Sequence, residues 1–257
     1  MTEIRMADLT WPEAERLRER EDLMGLIPLA AIEQHGHHLP LSTDVDIAEL
    51  VAAEVAQRLD EPTVVAPVLP GGISRQHLAF PGSVSLPEEV VEGFIDAYLD
   101  AFSRLGVRFA AIFSSHGGNF NFITEATPRI AARHPELQVG GYGDWKRFAL
   151  VLDGAANRAN LGSPVTDIHA GAVETSVALA YLPELCRHDQ LDYEGYVDNA
   201  PEKDWIRRMQ QEGVQVFDRS GVLGAPRLAN AAAGREVFEA WVDDLVAWIR
   251  EELAARP

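Results

Sequence analysis

Short apolar runs alternate along this chain with longer segments whose apolar residues recur at helical spacing. Three runs have the length and the hydrophobicity of strands covered on both faces, 23–32, 63–70 and 107–113, and the run over 137–145 suggests a fourth strand. Five segments carry the periodicity of helices: 46–59, 87–106, 121–134, 170–182 and 237–256. Because strands that alternate with helices form parallel sheets, the pattern predicts an α/β fold with a mostly parallel, doubly wound sheet.

Capping and breaking residues refine these boundaries. Thr10 can cap a first helix that continues through residues 11–20. Pro128 predicts a bend or a restart in the helix over 121–134. Residues 186–230 contain scattered Asp, Gly and Pro, which predict loops or short elements.

Composition restricts the class of protein. The length of 257 residues and the even spread of Pro and Gly favour one α/β domain over residues 1–257. A formal charge of −18 argues against nucleic acid and anionic membrane surfaces as partners. The single cysteine, Cys186, excludes an intrachain disulfide, and the N-terminus has no apolar signal core. We therefore expect a soluble cytoplasmic protein.

Ionisable residues follow the predicted strands at the points where the strands end. The stretch EQHGHHLPLSTD over 33–44 holds three of the eight histidines; Glu33 and His35 directly follow the first strand. His116 directly follows the third strand, within SSHGGN, and residues 70–80 follow the second. Since ligands bind at the carboxyl ends of parallel strands, these segments are predicted to meet at one edge of the sheet.

The candidate ligands share a preference for hard or borderline divalent cations: Glu33, His35, Asp44, His116 and Glu174. Two imidazoles and three carboxylates suit zinc, manganese or iron(II). Five ligands are more than one catalytic metal usually takes from protein, since such a site keeps a position open. The set therefore predicts two metal ions that share one carboxylate.

Each candidate also has a structural interpretation. Asp44 stands where a helix N-cap is expected. Glu33 and His35 could be ordinary polar groups at a strand end, and His116 could lie on the surface of a βα turn. Glu174 could be a single inward acid on a helix, although an inward carboxylate without a partner is costly and calls for a cation.

Further residues are candidates for contact with a substrate. Gly117 and Gly118 permit close backbone approach and positive φ after the third strand. His77 could bind substrate or be a hydrogen-bonded loop residue, and Trp145 could stack on a flat substrate or lie in the core. Asn119 is expected to cap the next helix. His37 and His38, which we do not include among the ligands, are more typical of surface or hydrogen-bonded groups.

Four motifs together resemble the creatininase (creatinine amidohydrolase) family: EQHGHHLPLSTD, RQHLAFPGSVSL over 75–86, SSHGGN over 114–119 and HAGAVETS over 169–176. The resemblance covers about residues 20–235, with a weaker GVLGAP match at 221–226. It implies a three-layer α/β/α sandwich, a binuclear metal centre, hydrolysis of amide-like C–N bonds and a homohexamer.

Carried over by position, the resemblance distributes the ligands between two metals. Glu33, Asp44 and His116 would hold one ion; His35, Asp44 and Glu174 would hold the other, with Asp44 bridging them. His169 matches a histidine thought to shuttle protons. True creatininases resemble one another in placing a metal-binding Glu two residues after the third-motif His, where this chain has Gly118. Glu174 is the natural substitute, and the departure weakens the case for creatinine itself as substrate.

The sequence thus predicts a hydrolase that binds two divalent metal ions, zinc, manganese or iron. A metal-bound hydroxide would attack the amide of a small cyclic amide or a formamide, with His169 as proton donor and Glu174 as a catalytic ligand. The alternatives are a mycofactocin-type peptidase that trims a precursor peptide and a non-catalytic metal-binding protein of the same fold. A nucleophilic hydrolase built on Ser114, Ser115 or Cys186 is disfavoured, because no G-x-S-x-G elbow is present.

Overall fold

Five strands form one sheet in which every neighbouring pair is parallel. In the spatial order β1-β3-β2-β4-β5 they are β1 (Glu3–Arg5), β3 (Thr63–Val65), β2 (Met24–Leu29), β4 (Phe109–Ser114) and β5 (Gln138–Gly141). The computed structural model describes residues 3–255. The parallel sheet confirms the α/β fold predicted from the alternating pattern.

Helices connect the strands and continue beyond the last one. Along the chain they are α1 (Trp11–Leu17), α2 (Thr43–Arg58), α3 (Glu88–Leu105), α4 (Phe120–Arg133), α5 (Trp145–Arg158), α6 (Ala172–Tyr181), α7 (Trp205–Glu212) and α8 (Ala231–Ala254). Short 3₁₀ turns fill several of the connections. Within residues 3–255, none of these helices combines the length and the apolar character needed to cross a bilayer.

Alternate residues of the central strands point to opposite faces of the sheet and build two cores. Met24 and Leu26 of β2 pack with residues of α2, α5, α6 and α8. Leu23, Ile27 and Leu29, which border or lie in the same strand, pack with residues of α3 and α4. Helices therefore cover both faces, which gives the three-layer α/β/α sandwich and explains why the central strands are apolar throughout.

Several boundaries differ from the pattern. The helix predicted from residue 46 begins at Thr43, and the final helix begins at Ala231, where the Asn230 side chain accepts a hydrogen bond from the Ala233 N–H. The helix over Phe120–Arg133 runs through Pro128 without a restart. Strand β3 is shorter than the apolar run that predicted it, and a helix, α7, forms within the segment expected to hold loops or short elements.

The sheet brings the predicted ligand segments to one edge. Leu29 and Ser114 are paired at the carboxyl ends of β2 and β4, so the chain leaves both strands side by side. Glu33 follows the first of these ends and His116 follows the second. The prediction that these segments meet at a common edge is confirmed.

Close packing of α6 on α8 holds the helix that carries Glu174. Gly234 of α8 lies against the backbone of α6, and a Cβ at this position would overlap the carbonyl oxygen of Ser176. The hydroxyl of Ser176 also accepts a hydrogen bond from the Asn230 N–H at 3.0 Å. The two helices therefore meet backbone to backbone, at a distance that only glycine allows.

We expect Gly234→Ala to lower the free energy of unfolding by about 1–3 kcal/mol, because the added methyl group must push α8 away from α6. Gly93→Ala is the matched control, since Gly93 is exposed within α3 and a Cβ there would contact nothing within 4 Å. That substitution should raise stability by up to about 1 kcal/mol through helix propensity. Urea unfolding measures both changes; equal stability of Gly234→Ala and the wild type would contradict the close contact.

Candidate metal centre

Five acidic and imidazole side chains from four segments converge at the carboxyl edge of the sheet. Glu33 and His35 follow β2, His116 follows β4, Asp44 lies in the first turn of α2, and Glu174 lies in the first turn of α6. Glu33, His35, Asp44 and His116 are each less than 5% exposed, and the Glu174 side chain is 22% exposed. The structure thus brings together all five residues proposed from the sequence as ligands.

The donor atoms fall into two groups that share Asp44. In the first group, His116 Nδ1 lies 3.3 Å from Glu33 Oε1 and 3.4 Å from Asp44 Oδ2. In the second, His35 Nε2 lies 3.4 Å from Asp44 Oδ1 and 3.4 Å from Glu174 Oε1. Each oxygen of the Asp44 carboxylate therefore faces a different imidazole.

These distances fit divalent cations. A tetrahedral ion with bonds of about 2.0–2.1 Å to nitrogen and oxygen holds its donor atoms about 3.3–3.4 Å apart. Glu33 Oε1, His35 Nε2 and Asp44 Oδ2 are buried and have no hydrogen-bond partner among the described residues. Buried polar atoms are normally paired, so three unpaired donor atoms at one place fit the ligands of a cation. The residues present therefore fit a pair of divalent metal ions.

Backbone carbonyls orient both imidazoles toward this centre. His35 Nδ1 lies 3.0 Å from the Glu33 carbonyl oxygen, and His116 Nε2 lies 3.1 Å from the Ile73 carbonyl oxygen. When these nitrogens carry the proton and donate it to the carbonyls, the other ring nitrogen of each histidine presents a lone pair to the centre. This arrangement is typical of metal-binding histidines.

Two of the carboxylates are fixed through the oxygen that faces away from the centre. Glu33 Oε2 accepts a short hydrogen bond from the Ser74 hydroxyl. Glu174 Oε2 accepts a 2.6 Å hydrogen bond from the Ala170 N–H, where the backbone has φ of 50°. Positive φ is unfavourable for alanine, and it turns this N–H toward the carboxylate. Each acid keeps one oxygen for the protein and one for the centre.

The pKa shifts of the converging residues show that the centre lacks positive charge. Burial disfavours the charged form of His35, but the carboxylates of Glu174 and Asp44 outweigh burial and hold its pKa well above the usual value. Burial and the carboxylates of Glu33 and Asp44 oppose each other at His116 in the same way, and its pKa is also raised. The Asp44 pKa is lowered although burial opposes the shift. The site thus attracts cationic charge, which protons or metal ions can supply.

Two further histidines complete one wall of the centre. His77 Nε2 and His169 Nδ1 lie 3.3 and 3.5 Å from Glu33 Oε1. Burial and neighbouring imidazoles lower the pKa of His169 to about 3 and hold that of His77 well below its usual range. Both rings are therefore neutral at pH 7. His169 also lies within 4.8 Å of donor atoms of His35 and Glu174.

Gln34, which the sequence analysis did not single out, connects these two histidines. Its side-chain nitrogen lies 2.9 Å from both His77 Nδ1 and the Gly221 carbonyl oxygen, and 2.8 Å from His169 Nε2. His169 Nε2 is also 2.7 Å from the Gln34 carbonyl oxygen. The Gln34 carbonyl oxygen can only accept, so His169 Nε2 donates to it, and the side-chain nitrogen of Gln34 donates its two hydrogens to His77 Nδ1 and the Gly221 carbonyl oxygen. His169 Nδ1 is then unprotonated and faces the centre.

Asn119 ties the surrounding loops together through its side chain. Its side-chain oxygen accepts from the Ile73 N–H, and its nitrogen donates to the Ala30 carbonyl oxygen and the Ser114 hydroxyl. Asn119 stands at the N-cap position of α4, as expected, but its side chain makes no cap hydrogen bond. Asp44 is not a cap, since Ser42 precedes the helix and Asp44 lies inside its first turn.

The candidate substrate-contact residues lie around this centre. Gly117 packs under Trp145, so that a Cβ at this glycine would lie only 2.9 Å from the indole ring, and a Cβ at Gly118 would overlap the His116 ring. Both glycines are used for close approach; neither has positive φ. Trp145 begins α5 and contacts Phe120 edge to face.

Two cavities adjoin the centre. A large one of about 660 Å³ is bordered by Glu33, His77, Gly118 and residues of α7. A small one of about 100 Å³ is bordered by Asp44 and Glu174. Gly117 and Trp145 line both.

The remaining histidines and nucleophiles lie outside the centre. His37 is exposed, while His38 is buried and its Nε2 lies 2.8 Å from the Thr175 hydroxyl. The Ser114 hydroxyl is bonded to the His116 backbone, and the Ser115 hydroxyl donates to the Asp44 carbonyl oxygen. Cys186 is buried beside the Leu182 carbonyl oxygen. These contacts of Ser114, Ser115 and Cys186 are all with backbone atoms, so none of them pairs the side chain with a histidine base.

Comparison with known proteins identifies relatives of this chain. Over 224 residues the chain is 32% identical to a mycofactocin precursor peptide peptidase of Mycolicibacterium smegmatis, covering 86% of this chain and 81% of that protein. Over 262 residues it is 28% identical to a creatinine amidohydrolase of Pseudomonas putida, covering 96% of each. A solved structure described as creatininase with manganese superposes with a TM-score of 0.79 at 24% identity, covering 97% of this chain and 98% of the other. That likeness supports the fold.

The family model described as creatininase, creatinine amidohydrolase, matches residues 7–249, which include all five converging side chains. The chain therefore belongs to the creatininase family of amidohydrolases.

Proposed function

We propose that this protein hydrolyses an amide C–N bond at a centre of two divalent cations. Glu33, Asp44 and His116 would hold one ion, and His35, Asp44 and Glu174 the other. The observation that carries this proposal is the convergence of five side chains whose facing donor atoms lie 3.3–3.4 Å apart, three of those atoms being buried and without a hydrogen-bond partner among the described residues. Bound divalent cations, whether zinc, manganese or iron, polarise a carbonyl and lower the pKa of water toward neutrality.

His169 is proposed to move the proton between the attacking water and the departing nitrogen. Its low pKa keeps the ring neutral, and its Nε2 hydrogen is directed to the Gln34 carbonyl oxygen. Its Nδ1 lone pair consequently faces the centre, where it can accept a proton and return it. His77, held between Glu33 and Gln34, is proposed to contact the substrate, as are Gly117, Gly118 and Trp145.

The size of the large cavity favours a peptide over a small cyclic amide or formamide. Sites that enclose drug-sized ligands have volumes of about 300–1,000 Å³, and the cavity of about 660 Å³ lies within that range. A relative 32% identical to this chain is named as a precursor peptide peptidase. We therefore propose a short peptide as the substrate, which makes the peptidase alternative the preferred one.

Asp44→Asn should lower metal content by at least one ion per chain, because Asp44 is the only proposed ligand that both groups share. Asp46→Asn is the matched control: Asp46 lies on the same helix turn, and its carboxylate accepts a hydrogen bond from the Ser42 hydroxyl. Elemental analysis after loading with zinc or manganese measures the content. Added metal should also raise the melting temperature of Asp46→Asn more than that of Asp44→Asn. Equal metal content in both variants would contradict the shared ligand.

His169→Gln should retain its metal and lose about 100- to 10,000-fold in kcat, the usual range for removal of a proton-transfer group. His37→Gln, an exposed substitution in a neighbouring loop, should leave both quantities unchanged. Metal analysis beside steady-state kinetics separates the roles of His169. A loss of metal would make it a ligand, and unchanged kcat would remove it from the reaction.

The reaction class is tested with metal-loaded wild-type protein on creatinine, simple formamides and a library of short peptides. We expect peptide hydrolysis that a chelator abolishes and added metal restores. Hydrolysis that resists complete metal removal would contradict the metal-dependent reaction. Turnover of creatinine or formamides alone would keep the reaction and reject the peptide, whereas metal binding without any hydrolysis would indicate the non-catalytic alternative.

A further inference from the structure

The two cavities share part of their lining, here called the shared wall. His116, Gly117, Trp145, Ile168 and His169 line both of them. The large cavity includes Glu33 of the first ligand group, and the small cavity includes Glu174 of the second. A molecule that places its reacting bond between the two groups therefore has space on two sides, and the spaces differ in size and lining.

Apolar side chains of three helices form most of the small cavity. Outside the metal centre and the shared wall, these are Phe148, Ala149 and Leu152 of α5, Val173 and Val177 of α6, and Val237 and Trp241 of α8. Two acids also lie along it. The Asp167 carboxylate is engaged by the backbone N–H groups of Ala172 and Val173, and burial raises the pKa of Asp153.

The volume limits what the small cavity can hold. An apolar cavity of about 150 Å³ accommodates benzene. The small cavity measures about 100 Å³, which suits a branched aliphatic group of three or four carbons but not an aromatic ring. Burying such a group favours binding, because its apolar surface leaves water.

The large cavity has a more polar lining. Away from the centre it includes Gln76, Asn121, Lys203, Arg207 and Gln210. Amide and cationic side chains of this kind can hydrogen-bond to the carbonyl groups of an extended peptide. The contrast assigns a direction to the substrate: a long polar portion on the Glu33 side and a short apolar portion on the Glu174 side.

We propose that the small cavity is a specificity subsite for a small branched aliphatic side chain, of valine to leucine size, next to the scissile amide. The rest of the peptide occupies the large cavity. This inference rests on the proposed peptide hydrolysis and adds the identity of one flanking residue.

The test uses metal-loaded full-length protein and peptides that vary each residue beside the cleaved bond among Gly, Ala, Val, Leu, Phe, Trp and Lys. At one of the two positions, kcat/KM should be at least ten-fold higher for Val or Leu than for Phe, Trp or Lys. Ala149→Leu, which fills the cavity, should remove the advantage of Leu over Gly. Leu152→Ala, which enlarges it, should raise the relative rate for Phe by ten-fold or more. Turnover of the Gly peptide serves as the folding control in both variants.

A flat preference at both positions would overturn the subsite, as would a preference for Lys or a size limit that neither variant shifts. If no peptide is cleaved, the proposed function fails, and binding decides the subsite separately. Isobutyramide should then perturb the NMR methyl signals of Val173, Val177 and Val237, benzamide should not, and Ala149→Leu should abolish the effect. Equal perturbation by both amides, or none by isobutyramide, would reject the cavity as a subsite.

Discussion

The burial of two carboxylates, Glu33 and Asp44, is the constraint on which the rest of the site depends. Both are almost completely shielded from water, and an uncompensated buried charge is strongly destabilising. The structure supplies partial compensation through His35 and His116, whose second nitrogens are tied to backbone carbonyls. A bound divalent cation would pair the donor atoms that remain unpaired. Burial of these carboxylates therefore costs free energy that a bound metal would offset. This cost is the physical link between the fold and the proposed chemistry.

A parallel sheet is an effective way to meet this constraint. The strand ends deliver separate segments to one edge, and side-chain hydrogen bonds then fix those segments against one another. Asn119 joins the ends of three segments, and Gln34 joins two histidines to the Gly221 loop. Neither residue is a proposed metal ligand, but Asn119 fixes the loop of Ile73, whose carbonyl oxygen contacts His116, and Gln34 contacts the rings of His77 and His169. Their substitution would disturb the site without removing a ligand.

The sequence predicts the strands and the candidate ligands that follow them better than it predicts the residues that hold those ligands in place. Continuous apolar runs identify β2 and β4, and the residues that follow them could be placed at one edge because parallel strands share an edge. Gln34 could not be recognised in this way, since its partners are 43, 135 and 187 residues away in sequence. Strand β1 is too short to show a pattern, and it exists through its pairing with β3. The single domain over residues 1–257, the cytoplasmic location and the homohexamer stay predictions.

The departure at Gly118 connects the ligand set to the substrate. The resemblance to creatininases places a metal-binding Glu at this position, but here a Cβ would overlap the His116 ring and the Ile73 carbonyl oxygen. With this backbone the turn has no room for a side chain, so the carboxylate comes instead from Glu174 on α6. The exchange keeps the negative charge of the centre and leaves Gly118 as bare backbone lining the large cavity. In the proposed function, a peptide in the large cavity would therefore meet backbone at this position, because the carboxylate proposed to replace this ligand is that of Glu174.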